Sequence, residues 1–158
     1  MKTDKYSAHG EHIQVRSAGS ECLRKTSFHI LKVRCRSSSP IALDPPFSDS
    51  TGGPFESFGL ASIHLEDADG ASAEIPCSAN RDVLVRDILP VLLGGHPLAY
   101  PELFHTLYWR IRNSGFRGPA SATLGAVDLA LHALEAQRQG FSLHRFLGCH
   151  AGLVSGVW

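Results

Sequence analysis

Three stretches of the chain alternate apolar and polar side chains with a period of two. Beginning near Phe28, Leu31, Val33 and Cys35 alternate with Lys32, Arg34 and Arg36. Between Leu60 and Glu66, Ala61, Ile63 and Leu65 oppose Ser62, His64 and Glu66. Between Ala71 and Cys77 the apolar set is Ala73, Ile75 and Cys77. Successive strand residues point to opposite faces, so each stretch predicts a half-buried strand. Asp69-Gly70 joins the second to the third with a hairpin signal, because both residues tolerate positive φ. Pro76 has no N–H for a ladder, so the third strand lies at an edge or ends there. The three form an antiparallel meander with one buried face, and His64 falls on the polar, solvated one.

The period then changes to that of a helix. Asn80 is a cap residue ahead of an apolar stripe of Leu84, Val85, Ile88 and Leu89, which Pro90 stops. Pro101 opens a second helix, with Glu102 complementing its dipole. Its stripe is Leu103, Phe104, Leu107, Tyr108 and Ile111, and Asn113-Ser114-Gly115 ends it. A third helix runs from about Ala120 to Gln139. Leu124, Val127, Leu131 and Leu134 share one face, while Asp128, His132, Glu135 and Gln139 lie on another. His132, with carboxylates at i−4 and i+3, reads as a solvated, ion-pairing residue. Gly140 supplies the residue past the helix end.

Three segments escape both periods. Residues 1–26 are polar and aperiodic, a loosely ordered tail in which His9 and His12 are surface histidines. Ser37 to Ser57 is rich in Ser, Pro and Gly and too long for a hairpin turn. Loops of that length carry function or lack order. Phe47 and Phe55 within it would waste apolar surface if merely solvated. After Leu143, a turn of helix and a Gly break lead to Leu153–Trp158, which reads as the start of a buried strand.

Composition narrows the options. The 158 residues carry 15 Lys+Arg against 15 Asp+Glu. Balanced charge without a basic cluster argues against nucleic acid, whose binding rests on phosphate neutralisation. No run approaches the roughly 20 apolar residues of a membrane helix, and the N-terminus lacks a secretory signal. Cys22, Cys35, Cys77 and Cys149 form no CxxC, which suits reduced thiols in a cytoplasmic protein. No GxGxxG, Walker loop, GxSxG elbow, HExxH or carboxylate cluster occurs. The expectation is no catalytic residue, no metal ligand and no cofactor in this chain. A nucleophile built on Cys77, or on Cys149 with His150, is disfavoured, since neighbours on a strand point to opposite faces.

The order of elements resembles a known family. Ala73-Glu74 ends the strand-turn-strand unit. Ile88-Leu89-Pro90 and Leu93-Gly94-Gly95-His96-Pro97 follow it. Arg117-Gly118 precedes the run Ala126 to Leu134, and Phe146-Leu147-Gly148 leads to the last strand. Together they are similar to the N-terminal capping domain of the enolase superfamily, within its mandelate racemase/muconate lactonizing enzyme group. His132, Ala133 and Gln137 stand where the family usually has Trp, Asp and Lys.

The resemblance implies an α+β fold: a three-stranded antiparallel meander, a helical bundle, then the first strand of a (β/α)₈ barrel. It divides the chain into a tail (1–26), a cap (27–150) and a barrel-strand remnant (151–158). A barrel takes about 250 residues, so the family's catalytic base and its Mg²⁺ ligands, which sit on later strands, have no counterpart here. The family's full-length chemistry abstracts the proton α to a carboxylate, with Mg²⁺ stabilising the ene-diolate. The chain alone is expected to be inactive. Its implied partners are a C-terminal barrel, a small carboxylate substrate once that barrel is present, and a homo-oligomeric mate. The Ser37–Ser57 loop matches the family's lid, with Phe47, Ser50 and Phe55 as candidates for substrate contact. Ser78 to Asn80 is a second lid candidate, or simply a helix cap. The competing class is a free-standing, non-catalytic interaction or oligomerisation module that uses the uncovered strand and helix faces.

Overall fold

The computed structural model describes residues 22–50, 52–77, 79–114 and 118–148. Of the tail expected at 1–26, residues 1–21 lie outside the described residues, as do Ser78, Gly115 to Arg117, Cys149, His150 and the strand expected at 151–158, while Leu23 in its described end is buried in the core.

Seven strands occur among the described residues: β1 (Ser27–Phe28), β2 (Ile30–Ser37), β3 (Ile41–Phe47), β4 (Phe55–Phe58), β5 (Ala61–Asp67), β6 (Ser72–Pro76) and β7 (Leu98–Ala99). The meander is β2-β5-β6, antiparallel throughout, as the alternation predicts. Ile63 and Leu65 on its central strand are fully buried, with Ile75 beside them on β6. Gly70 turns the β5–β6 hairpin at φ +81°. Pro76 is the last residue of β6, which among the described residues pairs only with β5, so its missing N–H faces no described ladder.

The register slips between Ile30 and Lys32. The extra residue sends Leu31 outward, 58% exposed, and lets Ile30 take the buried place expected of Leu31. The larger correction concerns residues 37–57. This segment is no loop, because β3 and β4 pair antiparallel within it. Pro45 and Pro46 cannot donate and the register shifts between Ala42 and Phe47. Both strands are edges and every residue of β4 is exposed, so no face is buried and no period of two is imposed. β1 and β7 form a further two-residue ladder.

Besides the helical residues Cys22 and Leu23, the helices among the described residues are α1 (Arg81–Val83), α2 (Leu89–Leu92), α3 (Tyr100–Ile111), α4 (Pro119–Arg138) and α5 (Leu143–Phe146). A π-helical turn, Leu84–Ile88, joins α1 to α2. Pro90 therefore does not stop the helix. It lacks an N–H for the Arg86 carbonyl, and the widened turn ahead of it, closed by Leu89 N–H to Leu84 C=O, relieves the clash of its ring. The wide turn also leaves Val85 52% exposed while Leu84 and Ile88 stay buried.

α3 buries Leu103, Leu107 and Ile111, and Tyr108 of the expected stripe is turned out. A 3₁₀ turn, Arg112–Ser114, follows it. α4 is the central strut. It lies across β5 and β6 and against α3 and α5, with Val127, Leu131 and Leu134 fully buried. A buried Leu contributes about 1.5–3 kcal/mol. α4 ends as expected at Gly140 (φ +70°), where Gly140 N–H meets Gln137 C=O and Phe141 N–H meets Ala136 C=O. No helix among the described residues is long and apolar enough to cross a membrane.

Candidate functional site

β2 and β5 pair from Ile30↔Asp67 to Ser37↔Ala61. The ladder continues past their ends. Ser38 N–H donates to Leu60 C=O (2.7 Å), and Leu60 N–H donates to the Ser38 hydroxyl (3.0 Å) in place of a carbonyl. β3 and β4 take up the pairing at Ile41↔Phe58. The described residues between 30 and 67 thus form one long β-arm. Its inner half is covered by α4 and its outer half projects beyond the meander.

At the tip, Phe47 and Phe55 face each other in register and their rings stack at 6.2 Å. They pack on one another rather than on the cap, and remain 57% and 44% exposed. Ser50 lies exposed on the bend beyond them. The bend is tied by Asp49 N–H to Gly52 C=O (3.1 Å) and Gly52 N–H to the Asp49 carboxylate (2.9 Å). Gly53 has φ +125°, and a Cβ there would lie 2.8 Å from Ser48 Oγ, so only glycine fits.

At the root, an open groove of about 440 Å³ is lined by Arg36, Ser37, Ser38, Leu60, Ser62 and Glu74. A second, of about 260 Å³, shares Arg36 and Ser62 and reaches Cys35, Cys77, Ala79 and Arg81. Ser62 Oγ donates to Glu74 Oε1 (2.5 Å), and Arg36 Nη1 stands 3.4 Å from Glu74 Oε2. The serine hydrogen bond, then the guanidinium and His64, hold the Glu74 carboxyl below the usual range. Burial, and then Cys77, push the Cys35 thiol up, the opposite of an activated nucleophile.

The connection from β6 to α1 behaves as a cap. Asn80 Oδ1 accepts from Asp82 N–H and Val83 N–H, both at 3.1 Å. Its own N–H donates to the buried Thr123 hydroxyl of α4 (2.8 Å), which in turn donates to Pro119 C=O (2.7 Å). Thr123 thereby fixes where this turn lies, a role that nothing near Asn80 in sequence announces.

Two histidines depart from expectation. His64 is half-buried, and its Nδ1 is buried without a hydrogen-bond partner. His132 is not solvated, with a side chain only 18% exposed. Its Nδ1 lies 2.8 Å from Asp128 C=O and 3.6 Å from the Asp128 carboxylate, and its ring stands edge-on to Tyr100 at 5.4 Å. Tyr100 donates to the same carboxylate (2.6 Å), and burial followed by that contact pushes its phenol far above the ordinary value. Glu135, expected on the polar face, is buried and turns to Arg138 (3.4 Å) and Gln139 (2.7 Å).

Asp67 and Arg138 form an ion pair that the sequence patterns did not single out. Asp67 sits at the buried parity of β5, in line with Ile63 and Leu65, and is only 2% exposed. One of its oxygens accepts from Asp69 N–H (3.0 Å) and Ala71 N–H (2.9 Å), and the other from Arg138 Nε (2.6 Å) and Nη2. Arg138 also donates to Ser27 C=O (3.2 Å) and covers the Phe28 ring. The signal was an acid where alternation calls for an apolar residue, with an arginine at the end of the strut.

Among the described residues no three carboxylate, imidazole or thiol groups come together to hold a metal ion. The arrangement offers surfaces and a jutting arm rather than a set of reacting groups.

No protein-family model matches the chain. A 3,6-anhydro-alpha-L-galactonate cycloisomerase of Streptomyces coelicolor is 28% identical over 121 residues, which is 72% of this chain and 34% of the relative. A racemase from Streptomyces coelicolor, solved with bound magnesium, is 27% identical with a TM-score of 0.55, over 70% of this chain and 32% of that one. A mandelate racemase/muconate lactonizing enzyme from Bordetella bronchiseptica shares the fold at TM-score 0.59 and 22% identity, over 78% of this chain and 34% of that one. The chain thus spans about a third of the length of the relatives it matches.

Proposed function

We propose that this chain, a capping domain of the mandelate racemase/muconate lactonizing enzyme group of the enolase superfamily, serves as the substrate lid of a proton-abstracting enzyme. The whole enzyme would act on a small carboxylate as a dehydratase, racemase or cycloisomerase. Base and metal ligands would come from a barrel, and the cap alone would be inactive. The described residues do not fit a magnesium site, so no step is assigned to a metal held by this chain.

The single observation that carries the reading is the β-arm. Its outer half projects from the cap with Phe47 and Phe55 stacked and exposed at the tip. A two-stranded ribbon is marginally stable in water by itself, and five large apolar residues (Ile41, Phe47, Phe55, Phe58 and Leu60) are each at least 44% exposed along it. Such a ribbon gains most by closing over another surface. Closure over a barrel mouth would exclude water and strengthen the field on a developing enolate. Phe47, Ser50 and Phe55 would meet the substrate, and the turn from Ser78 to Asn80 would be a second lid segment.

The test is a chimera in which this chain replaces the cap of the Streptomyces coelicolor cycloisomerase. Exchange of the proton α to the carboxylate is followed in D₂O by NMR. The expected result is exchange that the capless barrel lacks, with a substrate preference changed by Phe47→Ser and Phe55→Ser. A folded chimera without exchange, or one indifferent to both substitutions, overturns the reading.

The second reading is a non-catalytic interaction or oligomerisation module. It is favoured by the exposure of Leu129, Phe141 and Leu147, each above 40%, on and beyond α4. Size-exclusion chromatography with an exposed-patch dye tests it, since a stable monomer at high concentration that binds no dye counts against this second reading.

A further inference from the structure

We draw no further inference here: the strongest candidate, the exposed strip on α3 in which Trp109 Nε1–H donates to His105 Nε2 (2.6 Å) while Arg112 covers the indole, is an unpartnered helix face, and nothing in the structure shows what covers it.

Discussion

Phe58 and Ile63 lie five residues apart on one long β-arm, yet one is 56% exposed and the other fully buried. The inner half of the arm has β6 beside it and α4 beneath it. Among the described residues the outer half pairs only with its own second strand. The outer half also carries Pro45 and Pro46, which cannot donate to a ladder, but the larger difference is that a helix lies under the inner half. Stability is therefore concentrated in the inner half, while the outer half keeps apolar side chains that no packing requirement explains. A functional surface is drawn from such low-stability regions.

Substitutions can break or sharpen this contrast. The largest effect is expected from Arg138→Met, which leaves the buried Asp67 without its cation. Losing one partner of a buried pair costs about 3–5 kcal/mol, and urea denaturation should show a loss of that size. A change below 1 kcal/mol would mean that the inner half is not tied to α4 through this pair. Next is Leu131→Ala at the fully buried centre of α4, expected to cost about 2–5 kcal/mol, again by urea denaturation. Amide exchange should then accelerate across β5 and β6 while β3 and β4 stay as fast as before. Uniform acceleration along the whole arm would erase the distinction.

Asn80→Ala removes both hydrogen bonds to the first turn of α1 and should cost about 1 kcal/mol. The loss should be local, with faster exchange at Asp82 and Val83. A smaller, pH-dependent effect belongs to Glu74. Its folded carboxyl is held low by Ser62 first and then Arg36, so it binds protons less readily than in the unfolded chain. The stabilisation is present above the ordinary Glu range and is lost as pH falls through the lowered folded value. Glu74→Gln should therefore be less stable than the parent at neutral pH and equal to it in acid. A gap that is constant with pH would show that the Ser62–Glu74–Arg36 contacts do not govern this end of the groove. The smallest effect is expected from Phe47→Ser with Phe55→Ser, a change in stability within about 0.5 kcal/mol. A loss of 2 kcal/mol or more would place the tip in the packed unit and end its candidacy as a free lid surface.

Much of the fold was legible because burial on one side imposes a period. The meander, the Asn80 cap, the α4 stripe and the Gly140 end all follow from local rules. Leu31 and Val85 were misplaced because a bulge and a π-helical turn each shift the phase by a residue, and period counting assumes that phase is kept. The 37–57 strands escaped notice because neither face is buried, so alternation carries no information there. Of the candidate site, Phe47 and Phe55 were legible as aromatics without an evident core. Their mutual stacking and the continuity of the arm through Ser38 and Leu60 depend on pairing across the hairpin.

The sequence by itself determined the α+β class, the strand order of the meander, the helix boundaries at Asn80 and Gly140, and the absence of the usual nucleotide, nucleophile and metal motifs. These are properties of spacing and residue type. Only the tertiary structure decided that a presumed loop is a projecting ribbon, that His132 packs beside Tyr100 instead of facing solvent, and that Thr123 fixes the Asn80 turn. It also decided that Asp67 and Arg138, 71 residues apart, join the meander to its strut. Each of these depends on what lies across a gap in sequence, and a buried charge or an exposed aromatic acquires its meaning from the group placed opposite it.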